Sequence, residues 1–168
     1  KFDGQQSQVD ANVLISSLIH TTTIIQEINK EINSGKKIEI KVKALEKGSF
    51  LIHLELFETA LESLKNLLTK ENIEFAAAII TTLVGIIELK KFLKGRKAKR
   101  VERKGDKTEI ENNDGNIIII DNATFNIYEN NPTVKDAITQ NFEALNEDPS
   151  VTGFEITDKN EKTIVRVD

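Results

Sequence analysis

The chain of 168 residues has no cysteine, no methionine and no tryptophan, and only two prolines and two histidines. Without cysteine there are no disulfides, thiolate nucleophiles, zinc knuckles or iron–sulfur ligands, which fits a reducing compartment. Without methionine there is no initiator, so a chain beginning at Lys1 reads as a trimmed fragment. Its first ten residues, KFDGQQSQVD, hold no apolar signal-peptide core, and the expected location is the cytoplasm. His20 and His53 have no partner at metal-ligand spacing, so a structural or surface role is expected for both. GxSxG, GxGxxG and GxxxxGK[ST] are all missing, which removes the usual signatures of serine hydrolysis and nucleotide binding. Asn112, Asp114, Gly115 and Asp121 fall at positions of a calcium loop, but its first position is Ile110, which carries no oxygen, and a hairpin fits better. No enzyme, cofactor or metal is therefore expected.

Long apolar runs are missing too. The longest neutral stretch, Phe75 to Ile87, has thirteen residues and lies between Glu74 and Glu88. A spanning helix needs about 20. Membrane association through a helix at 73–93 is thus the third of three readings, and a helix buried nearly all round is the first. Within the run, Ala77, Thr81 and Gly85 form a small-residue ridge that lets another backbone come close.

What remains is a globular supply of residues, 39% apolar and 30% charged. Abundant isoleucine, asparagine and lysine hint at an AT-rich bacterial genome. Ser7 with Asp10 reads as a capping box. Leu14, Leu18, Thr21, Ile25, Ile28 and Ile32 follow at helical spacing, with Gly35 as a left-handed stop and a kink expected at Thr21–Thr23. Alternation then predicts a hairpin of Ile38–Ala44 with Phe50–Leu56. A three-residue loop, Glu46-Lys47-Gly48, sets Val42 opposite Ile52, at the cost of Glu39 opposite Glu55. Phe57–Leu68 predicts a short helix, and Asn72 caps a longer one that ends near Leu93. Thr108–Ile110, Ile117–Ile120 and Ala123–Tyr128 read as strands, the first two joined at Asp114-Gly115 by a type I′ turn. Pro132 opens a helix with Val134, Ala137, Ile138, Phe142 and Leu145 inward. Phe154–Thr157 and Thr163–Val167 form a closing hairpin.

The fold class expected is α+β: an N-terminal helix, β-hairpin and apolar helix pair over 1–93, then a basic linker or helix exit over 94–107. A mixed sheet of about five strands with one helix fills 108–168.

The net charge of −4 conceals an asymmetry. Lys90 to Lys107 holds ten Lys/Arg against Glu102 and Asp106, a local +8 that leaves −12 for the rest. Lys90, Lys94, Arg96, Lys97, Lys99, Arg100, Arg103 and Lys104 are accordingly candidate phosphate or nucleic-acid contacts. Against that reading, no aromatic lies between Phe92 and Phe125 to stack on bases, and the whole protein is acidic.

"KIEIKVKALEKGSFLIHLEL", "FLKGRKAKR", "NPTVKDAITQNFEAL" and "VTGFEI" together resemble a family of uncharacterised bacterial proteins often carried on mobile elements. That family has an amphipathic helix, a Gly-Ser-Phe hairpin and an apolar helix followed by a basic stretch. The resemblance implies a domain of unknown function, with a small β-barrel beyond the present fragment, and it assigns no functional residue. The leading expectation is a non-enzymatic interaction or oligomerisation module with a protein partner or a second copy. A nucleic-acid-binding accessory protein is the alternative.

Overall fold

A computed structural model describes residues 2–4, 9–32, 37–43, 53–58, 70–147, 149, 151–157 and 163–167. In chain order these form β1 (Phe2–Gly4), α1 (Ala11–Ile32), β2 (Ile38–Lys43), β3 (His53–Glu58), α2 (Lys70–Leu93), β4 (Arg100–Lys104), β5 (Lys107–Glu111), β6 (Ile117–Asp121), α3 (Asn122–Asn130), α4 (Pro132–Glu147), β7 (Val151–Thr157) and β8 (Thr163–Val167). The class is α+β, as expected. The described strands make three small antiparallel sheets, β1-β7-β8, β2-β3 and β4-β5-β6, rather than one mixed sheet of five.

α1 begins one turn later than the capping-box reading places it. Asp10 is the cap: its Oδ1 accepts from the backbone N–H of Asn12 at 2.8 Å and of Val13 at 3.4 Å. Ser7 and Gly35 lie outside the described residues. The hydroxyls of Thr22 and Thr23 donate to the Ile19 carbonyl at 3.0 and 2.8 Å within the helix. The buried face is Val13, Ser17, Ile24, Ile25, Ile28 and Asn29, while Leu14 and Leu18 are only half-buried. The first half of the predicted stripe is therefore rotated by one residue. The cause is α4, whose buried Asn141 Oδ1 accepts from the Ser17 hydroxyl at 2.7 Å. An apolar-stripe reading passes over a serine that faces inward to meet a polar partner.

The β2–β3 register sets Val42 opposite Leu54 and Lys41 opposite Glu55. This keeps the predicted parity but slips it by two residues, which replaces the like-charge Glu39–Glu55 pair by an opposite-charge one. The Glu46-Lys47-Gly48 loop lies outside the described residues. Phe57 belongs to β3, and the rest of the short helix expected there also lies outside them.

α2 is not buried all round. Phe75, Ile79, Thr82, Leu83, Ile86, Ile87, Leu89 and Leu93 are buried, whereas Ala77, Ala78, Ile80, Thr81 and Glu88 are exposed. The helix stops abruptly: Lys94 and Gly95 take positive φ, and Arg96 N–H donates to the Leu93 carbonyl at 2.9 Å. The expected linker or helix exit at 94–107 thus contains a strand. β4 folds back on β5 through the two-residue turn Gly105-Asp106, with Lys104 opposite Lys107 and Gly105 at φ 63°. The next connection is a five-residue loop, since Glu111 pairs with Ile117, and not a type I′ turn at Asp114-Gly115. Asn112 organises it. Its Oδ1 accepts from the N–H of Asp114 and of Asn116, both at 3.0 Å, and its Nδ2 donates to the Phe92 carbonyl at 3.2 Å. One buried asparagine thereby binds the loop to the end of α2.

The predicted strand Ala123–Tyr128 is helix α3. Its buried residues Thr124, Ile127 and Tyr128 have helical spacing, and this tertiary demand overrides the strand propensity of ATFNIY. α4 is capped by Asn131, whose Oδ1 accepts from Val134 N–H at 3.0 Å. Val134, Ala137, Ile138 and Leu145 are buried as predicted, and Phe142 is half-buried. Its ring meets Phe154 of β7 edge-on at 6.2 Å. A single core runs from α1 through α2, β5, β6, α3 and α4 to β7, and β1 pairs with β7. The expected division at the basic block does not divide this core.

Candidate interaction surface

The register of the β4-β5-β6 sheet decides what the basic block does. Arg100, Glu102 and Lys104 of β4 align with Glu111, Glu109 and Lys107 of β5, and these with Ile117, Ile119 and Asp121 of β6. All share one face of the sheet. Arg100 reaches Glu102 at 2.8 Å, Glu109 at 2.9 Å and Glu111 at 3.3 Å. Lys104 contacts Glu109 at 2.6 Å and Glu102 at 3.8 Å. Lys99 pairs with Glu111, and Lys107 with Asp121, both at 2.6 Å. Lys99, Arg100 and Lys104 thus meet Glu102, Glu109 and Glu111 in one lattice, and the Lys107–Asp121 pair beside it makes four cations against four acids.

The other candidate phosphate contacts are dispersed. Lys94 and Arg96 clasp Asp114 at 2.9 and 3.0 Å. Lys90 donates to the Thr139 hydroxyl at 2.9 Å, and Arg103 to Asn126 Oδ1 at 2.6 Å. Lys97 is exposed, and its carbonyl accepts from Asn113 Nδ2 at 2.9 Å. The sheet draws Lys99, Arg100 and Lys104 onto carboxylates; it does not gather the eight residues into one cationic surface. The carboxyls respond: Lys104, then Arg100, holds Glu109 below the ordinary carboxylate range, Lys99 and Arg100 do the same to Glu111, and Lys94 and Arg96 to Asp114. Arg100 and Lys104 are shifted upward in turn, chiefly by their bonds to Glu111 and Glu109.

Beside this lattice lies an apolar strip. Ile117 and Ile119 are 54% and 61% exposed on β6. Ile80, Thr81, Val84, Gly85 and Glu88 of α2 run alongside Ile119, Ile120 and Asp121, leaving a groove of about 280 Å³ that Thr124 also lines. The three small residues of the expected ridge are placed differently. Ala77 is exposed, Thr81 lines the groove, and Gly85 abuts α3, where a Cβ would stand 2.9 Å from Thr124 Cγ2.

The sequence reading did not single out Ile80, Val84, Ile117 or Ile119. Four successive isoleucines at 117–120 did hold the signal. Both faces of such a strand are apolar, while an antiparallel sheet at a protein surface ordinarily keeps one face polar.

Among the described residues no group of His, Asp and Glu could hold a metal ion, and no helix is long and apolar enough to cross a membrane. The resemblance to the Gly-Ser-Phe hairpin proteins rests on its quoted residues alone: no family model matches the chain, and no curated protein or solved structure matches it either.

Proposed function

We propose that the protein is a non-enzymatic assembly module of the bacterial cytoplasm that pairs with a second copy of itself through the α2–β6 strip. The observation that carries this reading is the set of exposed Ile80, Ile117 and Ile119, joined by Val84, beside the charged face of the β4-β5-β6 sheet. The adjoining sheet face selects the kind of partner. A face with four cations and four acids attracts no polyanion by net charge. It is complementary to itself, because a two-fold axis can set its basic residues against its acidic ones while the isoleucines meet. An apolar centre with a charged rim is the usual anatomy of a protein–protein contact.

Sedimentation velocity over a wide concentration range tests this. A reversible dimer is expected for the wild type. Ile119→Lys, at a side chain that is already exposed, should give a monomer with an unchanged melting temperature. A wild type that stays monomeric at every concentration, or an Ile119→Lys variant that dimerises equally well, overturns the proposal. Titration with labelled duplex DNA is the second arm. Binding that falls steeply with salt and is lost on replacing Arg96, Arg100 and Arg103 by Ala would move the function to nucleic acid.

A further inference from the structure

β4 is an unusual strand. All five of its residues are exposed, including Val101, and among the described elements it packs chiefly against β5. Strands normally hold their place by burying one face. No residue of β4 is fully buried, Val101 being 43% exposed, so its attachment rests chiefly on the backbone ladder and on polar side chains. Those side chains are Arg100 on Glu109 and Glu111, Lys104 on Glu109, and Arg103 on Asn126 of α3, with Lys99 on Glu111 just before the strand.

The neighbouring hairpin is held differently. Thr108 and Ile110 of β5 and Ile120 of β6 are buried. Asn112 ties the β5–β6 loop to α2, and Thr108 donates to Asn122 Oδ1 at 2.7 Å. Two parts of one sheet thus depend on different forces, chiefly ionic for β4 and chiefly apolar for β5–β6.

We propose that β4 is a salt-operated strap, seated on β5 at low ionic strength and released from it at high ionic strength while β5–β6 stays folded. Exposed ion pairs are screened as the Debye length shrinks from about 10 Å at 0.1 M to about 3 Å at 1 M salt, whereas apolar burial is not. Release has a chemical consequence. The stretch from Lys97 to Lys104 carries Lys97, Lys99, Arg100, Arg103 and Lys104 against Glu102 alone, and it would leave Glu109 and Glu111 without their cations. A neutral face becomes a basic strand and an acidic sheet edge, and the backbone edge of β5 becomes free to pair.

Hydrogen–deuterium exchange with mass spectrometry on the intact chain reads this directly. Peptides covering 99–104 should exchange about tenfold faster in 1 M than in 0.05 M sodium chloride, while those covering 117–121 keep their rate. Glu109→Gln with Glu111→Gln should show the fast rate at low salt and little further response. Lys104→Gln, a milder change at the exposed edge, should shift the rate in the same direction by less. Salt-independent exchange of 99–104 overturns the strap. So does acceleration of 117–121 in parallel, which would mean that the whole sheet opens at once.

Discussion

Gly85 offers a test in which local and tertiary effects have opposite signs. It sits inside α2 with helical backbone, so Gly85→Ala should stabilise the isolated helix by about 0.5–1 kcal/mol. The fold opposes this. The new Cβ would lie 2.9 Å from Thr124 Cγ2, against an optimal carbon–carbon separation of about 3.5–4.0 Å. Thr124 cannot easily turn aside, because it is buried in the first turn of α3 and is stiff at χ1 through β-branching. α3 cannot easily move, because Asn122 at its start donates from its backbone N–H to the Asp106 carbonyl at 3.0 Å and from Nδ2 to the Gly105 carbonyl at 2.9 Å. Overpacking of this kind costs about 1–3 kcal/mol. The expected net effect is a loss of about 0–2.5 kcal/mol after the helix gain is subtracted. Gly85→Leu should cost more.

Removing one methyl group should reverse the sign. The other near atoms, Thr124 Oγ1 and Cβ, lie at 3.7 and 3.8 Å, which is ordinary contact. In a Thr124→Ser background Gly85→Ala should therefore be neutral or stabilising. Urea unfolding followed by circular dichroism on the four proteins of this cycle gives the coupling. If Gly85→Ala stabilises the wild type, or costs the same in both backgrounds, the close approach of α2 to α3 does not carry energy.

Three further outcomes are expected. Glu109, Glu111 and Asp114 have folded pKa values below their unfolded ones, so their stabilisation is complete above the ordinary carboxylate range and is lost as pH falls through the depressed values; urea midpoints should fall from about pH 5 downward, and less steeply in Glu109→Gln with Glu111→Gln. Burial, with Glu129 beside it, pushes the hydroxyl of the chain's one tyrosine, Tyr128, upward, so its contribution is present below the ordinary tyrosine pKa and disappears as pH rises through the folded value; the phenolate absorbance of the native protein should appear above that of the urea-unfolded chain. Asn141→Ala strips the buried Ser17 hydroxyl of its acceptor and should cost about 1–3 kcal/mol in urea unfolding, with Ser17→Ala recovering part of the loss.

Long periodic segments were legible in the sequence. α4 was legible by its proline start and by Val134, Ala137, Ile138 and Leu145 of its buried face, without Asn141 and Ala144, and α2 by its end at Leu93, because helical spacing is a local property. Rotation of α1 was not legible, since Ser17 is inward only where Asn141 exists to receive it. α3 was missed because β-branched and aromatic residues sit there at a spacing that both structures can use, and the decision belongs to Gly85 and the core. The basic block was legible as charge and illegible as structure. Nothing local says that Arg100–Lys104 is a strand until the glutamates of β5 lie beside it.

That last difference bears on function. A +8 stretch suggests a field that draws phosphates, but a field depends on positions in space and not on order in the chain. Antiparallel pairing sets Arg100 beside Glu111 and brings Arg100 and Lys104 diagonally onto Glu109, so the sheet interleaves charges that the sequence keeps apart. From Lys90 to Asp121 the ten cations face six acids, Glu102, Asp106, Glu109, Glu111, Asp114 and Asp121, and the local excess falls to +4. Part of what remains is turned away from the lattice, with Lys90 on α4 and Arg103 on α3. On the lattice face net charge is therefore spent within the fold, and the isoleucines of β6 and α2 are left to decide what binds there.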